Sequence, residues 1–145
     1  MSTTATRELT APIVGELEFV EWSVGDDPKA CGRIAVPVSA EAGAVSAVVC
    51  LEVDPGNRIP LHTHTAEETI LVLQGTGVAT AGEQRGPVSE GAVVVVPAFA
   101  RHGFENTGSE TLRLVGFFPA GVVVSYFDEP VAPFGVGTFV IPILQ

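Results

Sequence analysis

Basic residues are scarce in this chain. Its 145 residues include seven lysines and arginines against seventeen aspartates and glutamates, which gives a formal net charge of −10 at pH 7. A charge of this sign repels the phosphate backbone of nucleic acids and the anionic surface of membranes. We therefore expect neither nucleic acid nor a membrane as a partner.

Cysteines are few, and long apolar runs are missing. Cys31 and Cys50 are the two cysteines, and their spacing matches no CxxC pattern of a redox or zinc motif, so we interpret them as reduced core residues. The first ten residues lack the apolar region of a secretory signal, and no segment approaches the roughly 18 apolar residues that span a bilayer. We expect a soluble cytoplasmic protein.

Helical periodicity of useful length is missing too. Short apolar segments instead recur between clusters of glycine, proline, asparagine and aspartate, as in all-β sandwiches and barrels. The pattern predicts strands at residues 17–22, 32–38, 45–53, 69–73, 78–81, 93–96, 101–105, 112–118 and 122–127. Residues 93–96 are four valines in a row, which predicts burial of both faces or an oligomer interface.

The length and composition suit one folded domain. Charged residues make up 17% of the chain and hydrophobic residues 46%, a balance typical of a buried β-structure rather than a disordered segment. Residues 1–11 are polar and rich in threonine, and we interpret them as a flexible arm. We expect residues 12–145 to form a single domain with an apolar C-terminal tail.

The three histidines of the chain fall into two short segments. His62 and His64 are two residues apart, so on an extended strand both imidazoles point to one face, with backbones roughly 6–7 Å apart. Glu68 follows after a short polar break, and His102 comes from a distant strand. Each histidine alone could be a hydrogen-bonded core residue, but together with Glu68 they form a candidate metal site. Glu67 is predicted to point away from it.

Both segments resemble the paired motifs of the cupin superfamily. The first motif, G-x5-H-x-H-x3-E-x6-G, is matched at each defined position by Gly56, His62, His64, Glu68 and Gly75. The second, G-x5-P-x-G-x2-H-x3-N, is matched at Gly91, Pro97, His102 and Asn106, whereas Phe99 stands where the family has glycine. The resemblance implies a cupin-type jelly-roll β-barrel of the small, single-domain, metal-binding kind.

The same resemblance implies that the metal ligands are His62, His64, Glu68 and His102. Imidazole and carboxylate ligands suit first-row divalent metals, with Fe, Mn or Ni favoured and Zn, Co or Cu as alternatives. An ion that prefers six ligands would keep two positions free, as a catalytic metal requires. Glu68 is also a candidate catalytic base, since the sequence ties no other acid or base to the site.

Four further residues are candidates for the pocket wall. Phe99 is predicted to project near His102, and Phe104 to lie at an apolar mouth or in the core. Asn106 either holds a water near the metal or caps the turn that follows it. Tyr126 lies in a late strand that could line the barrel.

The implied function is that of a metal-dependent enzyme acting on a small organic molecule. We favour a dioxygenase-type oxidoreductase, in which substrate and dioxygen use the two free metal positions. The alternatives are a Lewis-acid isomerase, cyclase, decarboxylase or lyase, or a non-enzymatic barrel that binds a sugar or another small molecule. The sequence identifies neither the substrate nor the metal.

The C-terminal tail is unusually apolar. Residues 139–144 read Phe-Val-Ile-Pro-Ile-Leu, and such a segment has to be covered to avoid an exposed, aggregation-prone edge. It either folds over its own barrel or forms a contact between two copies of the chain. We favour a homodimer.

Overall fold

The computed structural model describes residues 11–12 and 14–142. These residues form twelve β-strands and one short 3-10 helix, Ala40–Ala42. The strands are β1 Val20–Val24, β2 Cys31–Val38, β3 Ala47–Val53, β4 Arg58–His64, β5 Glu68–Gln74, β6 Thr76–Ala81, β7 Gln84–Ser89, β8 Val93–Val96, β9 His102–Asn106, β10 Leu112–Phe118, β11 Val123–Ala132 and β12 Val136–Ile141.

All strands belong to one antiparallel sheet. Along the sheet the order is β7-β6-β9-β4-β11-β1-β2-β3-β10-β5-β8, and β12 pairs with β11. The sheet curls around a common core, so that strands far apart in this order face each other across the interior. The predicted all-β jelly-roll fold of the cupin type is confirmed.

Alternation of side chains along the strands fills that interior. On β5, Glu68, Ile70 and Val72 are buried, while the residues between them point outward. On β10, Leu112, Leu114 and Phe118 are 0–2% exposed. A fully buried side chain of this size contributes about 1.5–3 kcal/mol of stability, so the inward set of β10 is a major part of the core.

Several strand predictions need correction. Strands β4, β7 and β12 are absent from the predicted set, although the histidine spacing and the apolar tail pointed to extended chain at β4 and β12. The sequence of β7, Gln-Arg-Gly-Pro-Val-Ser, carries no strand signal because it is polar and contains Pro87. Proline is tolerated there because β7 ends the sheet and has a strand on only one side. Strand β1 begins at Val20 and ends at Val24, later than the predicted 17–22.

The apolar tail pairs with its own chain over the part that the structure describes. Phe139 and Ile141, on β12, are 7% and 2% exposed and face the barrel interior, whereas Val140 is 37% exposed on the outer side. This is the first of the two arrangements considered for the tail. Ile143 and Leu144 lie outside the described residues.

The valine strand β8 lies at the end of the sheet opposite to β7. Val96 is buried, but Val93 and Val95 are 60% and 55% exposed. The prediction that both faces of this strand are buried within one chain is therefore wrong. The alternative, an oligomer interface, stays a prediction.

Within residues 11–12 and 14–142, no helix has the length and apolarity needed to cross a membrane. The cytoplasmic location stays a prediction.

We predict that truncating the inward face of β10 destabilises the protein strongly. Leu112→Ala removes a fully buried side chain and should lower the free energy of unfolding by about 2–5 kcal/mol. Leu61→Ala, on a position of β4 that is 40% exposed, is the matched control and should cost less than about 1 kcal/mol. Urea unfolding followed by fluorescence measures both, and similar costs would contradict the assignment of the core.

Candidate metal centre

Three imidazoles and one carboxylate meet inside the barrel. Nε2 of His62 lies 3.2 Å from Nε2 of His64. Oε1 of Glu68 lies 3.3 Å from Nε2 of His64 and 3.2 Å from Nε2 of His102. All four side chains are buried, at 1–7% exposure. The four polar atoms thus converge on one point in the interior.

These separations fit a shared metal ion. For metal–ligand distances of about 2.1 Å, neighbouring ligand atoms lie ~3.0 Å apart around an octahedral ion and ~3.4 Å apart around a tetrahedral one. The observed 3.2–3.3 Å fall between these values. The three histidines can hold a metal ion. Glu68, which lies beside two of them, stays a prediction as the fourth ligand.

The strand pairing explains how the histidines meet. His62 and His64 point inward from β4, as expected for a spacing of two residues. Strand β9 pairs with β4 and sets His102 directly opposite His62. Three ligands therefore come from two neighbouring strands, and local β-geometry accounts for all three.

Glu68 reaches the site from the opposite wall. Strand β5 pairs with β10 and β8, so it is separated from β4 by five strands along the sheet. The curl of the sheet and the short link Thr65–Glu67 bring the carboxylate back to the histidines. Glu67 is exposed, as predicted.

The Nδ1 atoms of the histidines have partners of their own. His62 Nδ1 donates to the carbonyl oxygen of Pro60 at 2.8 Å, and His102 Nδ1 donates to that of Ala100 at 3.0 Å. A carbonyl oxygen can only accept, so the Nε2 atoms of both rings keep their lone pairs free. Such hydrogen bonds fix the orientation of metal-binding histidines.

Aromatic side chains also hold the rings in place. The ring of Phe127 stacks on His62 at a centroid distance of 4.5 Å and an interplanar angle of 11°. Phe118 contacts His64 edge-on at 5.0 Å. The imidazoles are therefore confined by apolar surfaces on the sides that do not face the other ligands.

Protonation states in the site suit metal binding. Burial lowers the pKa of His62 well below its usual range, with the neighbouring histidines adding to the effect, and burial also lowers the pKa of His64. For Glu68, burial favours the neutral acid, but the neighbouring His102 and His64 outweigh it and hold the pKa at about 2. At neutral pH the two imidazoles are neutral and the carboxylate is ionised.

The roles suggested for Glu68, as a metal ligand and as a catalytic base, stay predictions. Its ionised carboxylate is suited to bind a cation.

A glycine makes room for that carboxylate. Gly116 lies on β10, which pairs with β5, and a Cβ atom at this position would overlap Oε2 of Glu68 and approach Cγ2 of Val49 to 3.0 Å. Any side chain at position 116 would therefore push the carboxylate away from the histidines.

The ligands line a small interior cavity of about 60 Å³. Apart from the ligands, Ser125 and the indole of Trp22, its wall is apolar and includes Ile70, Phe104, Phe118 and Phe127. No lysine or arginine among the described residues lines it. The space is large enough for water or a small ligand.

Of the four pocket candidates, Phe104 alone lines this cavity. Phe99 is 63% exposed and has a φ of 64°, the left-handed region that favours the glycine of the family motif. Its N–H donates to the carbonyl oxygen of His64 at 2.8 Å, so the backbone of Phe99 contacts the site while its ring points outward. The prediction that the Phe99 side chain shapes the pocket is wrong.

Asn106 takes one of its two suggested roles, whereas the placement of Tyr126 in the cavity wall is wrong. The amide group of Asn106 donates to the carbonyl oxygens of Val53 and Glu110 and accepts from the N–H of Gly108, so it caps the turn, the second of its two suggested roles. Tyr126 is 45% exposed, because on β11 it alternates with the inward Ser125 and Phe127. Neither side chain lines the cavity.

Ser125, Phe127 and Gly116 are site residues that sequence reasoning missed. No motif marks them, because each acts through a neighbour on another strand. The alternation along residues 122–127 could have separated Ser125 and Phe127 from Tyr126, had the inward face of that strand been known.

The part of the chain that matches a known protein family contains the candidate metal site. A model of the family described as "Cupin domain" matches residues 49–131, a range that includes all four candidate ligands. The chain belongs to the cupin domain family. This cupin chain thus has the fold and the motif positions of its family, with the phenylalanine at position 99 as its departure from the motif.

Similar proteins differ widely in function. The cupin chain is 38% identical over 77 residues to mannose-1-phosphate guanylyltransferase RfbM of Salmonella typhimurium, covering 52% of this chain and 16% of that protein. It is 30% identical over 70 residues to auxin-binding protein 1 of Arabidopsis thaliana, covering 42% of this chain and 35% of that protein. The chain thus spans a minor part of both relatives.

Solved structures repeat the fold. A putative sugar phosphate isomerase from Acidithiobacillus ferrooxidans superposes with a TM-score of 0.53 at 27% identity, covering 68% of this chain and 66% of that one. A predicted oxalate decarboxylase from Thermotoga maritima gives 0.59 at 26% identity, covering 70% and 90%.

We predict that His62→Ala sharply lowers bound metal, because it removes one of the three imidazoles and leaves a poorly chelating site. Thr63→Val, which alters the outward neighbour on the same strand, should keep the wild-type content. Elemental analysis of protein purified without an affinity tag measures the ratio of metal to chain. Equal metal in both variants would show that these histidines are core residues only.

We also predict that Gly116→Ala weakens metal binding, because the added methyl group displaces the Glu68 carboxylate. A loss of about 10–100-fold in metal affinity is expected, similar to that of other substitutions that disturb ligand orientation. Gly86→Ala, where a Cβ meets no atom within 4 Å, is the matched control. Competition with a chelator measures the affinities, and an unchanged value for Gly116→Ala would remove Glu68 from the ligand set.

Proposed function

We propose that this cupin is a metal-dependent enzyme that acts on a small organic molecule by a dioxygenase-type oxidation. The observation that supports this is the meeting of three imidazole rings and one carboxylate at a small, largely apolar cavity. Four protein ligands leave two positions on a six-coordinate ion, and the cavity offers space beside them.

The cavity wall supports a substrate with an apolar body. Because no cationic side chain of the described residues lines it, a phosphate group would be buried there without a protein partner apart from the metal. A small enolisable or phenolic compound, which presents one or two oxygen atoms and an apolar remainder, fits this wall better.

The ligands and the wall residues have different roles in this proposal. His62, His64, Glu68 and His102 would hold the metal, which supplies Lewis acidity and, for a redox-active ion, electron transfer. The carboxylate of Glu68 balances one positive charge. Ile70, Phe104 and other apolar residues of the wall keep bulk water away from the reacting groups, which strengthens polar interactions inside the cavity.

A Lewis-acid reaction is the second candidate. It is favoured by the likeness to a predicted oxalate decarboxylase and a putative sugar phosphate isomerase, each at 26–27% identity. A small carboxylate substrate could use the metal as its only positive partner. A sugar phosphate is disfavoured by the absence of lysine and arginine from the part of the wall that the structure describes.

We predict that exchange of the metal separates the two candidates. If the reaction is an oxygenation, the Fe(II) or Mn(II) form should consume oxygen with a suitable enolisable or phenolic compound, and the Zn(II) form should keep the fold but lose turnover. An oxygen electrode and product analysis measure this, with His62→Ala as the metal-poor control. Substantial turnover of the Zn(II) form without oxygen uptake would overturn the dioxygenase proposal in favour of Lewis-acid chemistry.

We also propose that the chain forms a homodimer. The outer face near the end of the sheet exposes Val93 and Val95 together with Phe117 and Leu73, which are 43–60% exposed. A net charge of −10 opposes contact between two copies through charged faces, so an uncharged apolar face is the favourable one. Light scattering should give about twice the chain mass of 15.0 kDa, and the monomer mass at micromolar concentration would contradict the dimer.

A further inference from the structure

Among the described residues of the cavity wall, Ser125 and Trp22 are the two with polar side-chain atoms that are not candidate metal ligands, and only Ser125 has a hydroxyl group. Ser125 lies on β11, where the strand register sets it opposite His64 of β4, and it is 3% exposed. Its Oγ lies 2.7 Å from Nδ1 of His64. The hydroxyl group therefore touches both a candidate ligand and the cavity.

The direction of the hydrogen bond between His64 and Ser125 decides whether the serine proton is available to another group. If His64 binds a metal through Nε2, its ring proton is on Nδ1, and Nδ1 must donate to Oγ of Ser125. The serine oxygen is then the acceptor, and its own proton needs a different partner. Among the described residues, His64 is the sole hydrogen-bond partner of this hydroxyl.

A buried hydroxyl without an acceptor is unfavourable, and most buried polar groups are paired. The other two histidines have no hydroxyl partner: His62 and His102 donate to carbonyl oxygens, which have no proton to donate. His64 alone rests on a group that can pass a hydrogen bond onward. The free proton of Ser125 lies on the wall of the same cavity that the ligands line.

We infer that the Ser125 hydroxyl donates a hydrogen bond to an oxygen atom of the small molecule that binds beside the metal. The ligand class is one with an acceptor oxygen within reach of the metal-bound group, such as a carboxylate, an enolate or a carbonyl compound. This inference rests on the metal site of the proposed function, but it holds for oxygenase and Lewis-acid chemistry alike. Ser125 is thus a specificity-determining residue that also positions His64.

Formate is a suitable probe because it has three non-hydrogen atoms and fits a cavity of about 60 Å³. One of its oxygens can bind the metal while the other accepts from Ser125. Protein loaded with Co(II) reports formate binding by a change in its visible absorption. Two constants are measured separately: the affinity for Co(II) by chelator competition, and the affinity for formate at saturating Co(II).

We predict that Ser125→Ala weakens formate binding about tenfold at saturating Co(II), as expected for loss of one hydrogen bond to a charged acceptor. Ser125→Cys, which keeps the volume and is a weaker donor, should give a smaller loss in the same direction and serves if the alanine variant does not fold. Thr63→Val removes a hydroxyl from the outward side of β4 and should leave both constants unchanged.

The outcomes distinguish the inference from the metal proposal. If Ser125 only orients His64, its substitution lowers the Co(II) affinity but leaves formate binding at saturating Co(II) unchanged, and the inference is overturned. If the wild-type chain binds no Co(II), the metal site of the proposed function fails, and the inference fails with it.

Discussion

The structure depends on burying three imidazoles and a carboxylate together in an apolar barrel. Each group alone would be costly to bury, because a polar group without a partner in the interior loses its hydration. Here the groups lie beside one another: Oε1 of Glu68 is 3.2 Å from Nε2 of His102 and 3.3 Å from Nε2 of His64. The histidines also pair with backbone carbonyl oxygens and with Ser125, and Gly116 leaves room for the carboxylate of Glu68.

That constraint explains features of the fold that seem unrelated to function. The backbone carbonyls of Pro60 and Ala100 orient two of the rings, so the paths of the chain before β4 and β9 are tied to the site. Phe118 and Phe127 belong to the hydrophobic core and also confine the rings of His64 and His62. Core packing and ligand orientation are therefore the same set of contacts, and a change in one is felt in the other.

The surface divides into faces with different chemistry. Three arginines pair with acidic residues outside the cavity: Arg33 with Glu52 and Asp54, Arg58 with Asp27, and Arg113 with Glu52. Exposed ion pairs of this kind contribute little to stability. Since no lysine or arginine of the described residues lines the cavity, a bound metal would supply its positive charge.

The sequence by itself indicated the β-class, because short apolar segments alternate with turn residues, and its resemblance to the cupin motifs implied the candidate ligands. His62 and His64 share a face for the reason that any two strand residues at that spacing do. The tertiary structure decided what crosses between strands. It brought Glu68 from the far wall, set Ser125 against His64, and placed Gly116 beneath the carboxylate. It also turned Phe99 and Tyr126 outward and tied Asn106 into a turn. No local pattern fixes these outcomes, since the curl of the sheet and the register of strands distant in sequence determine which side chains meet.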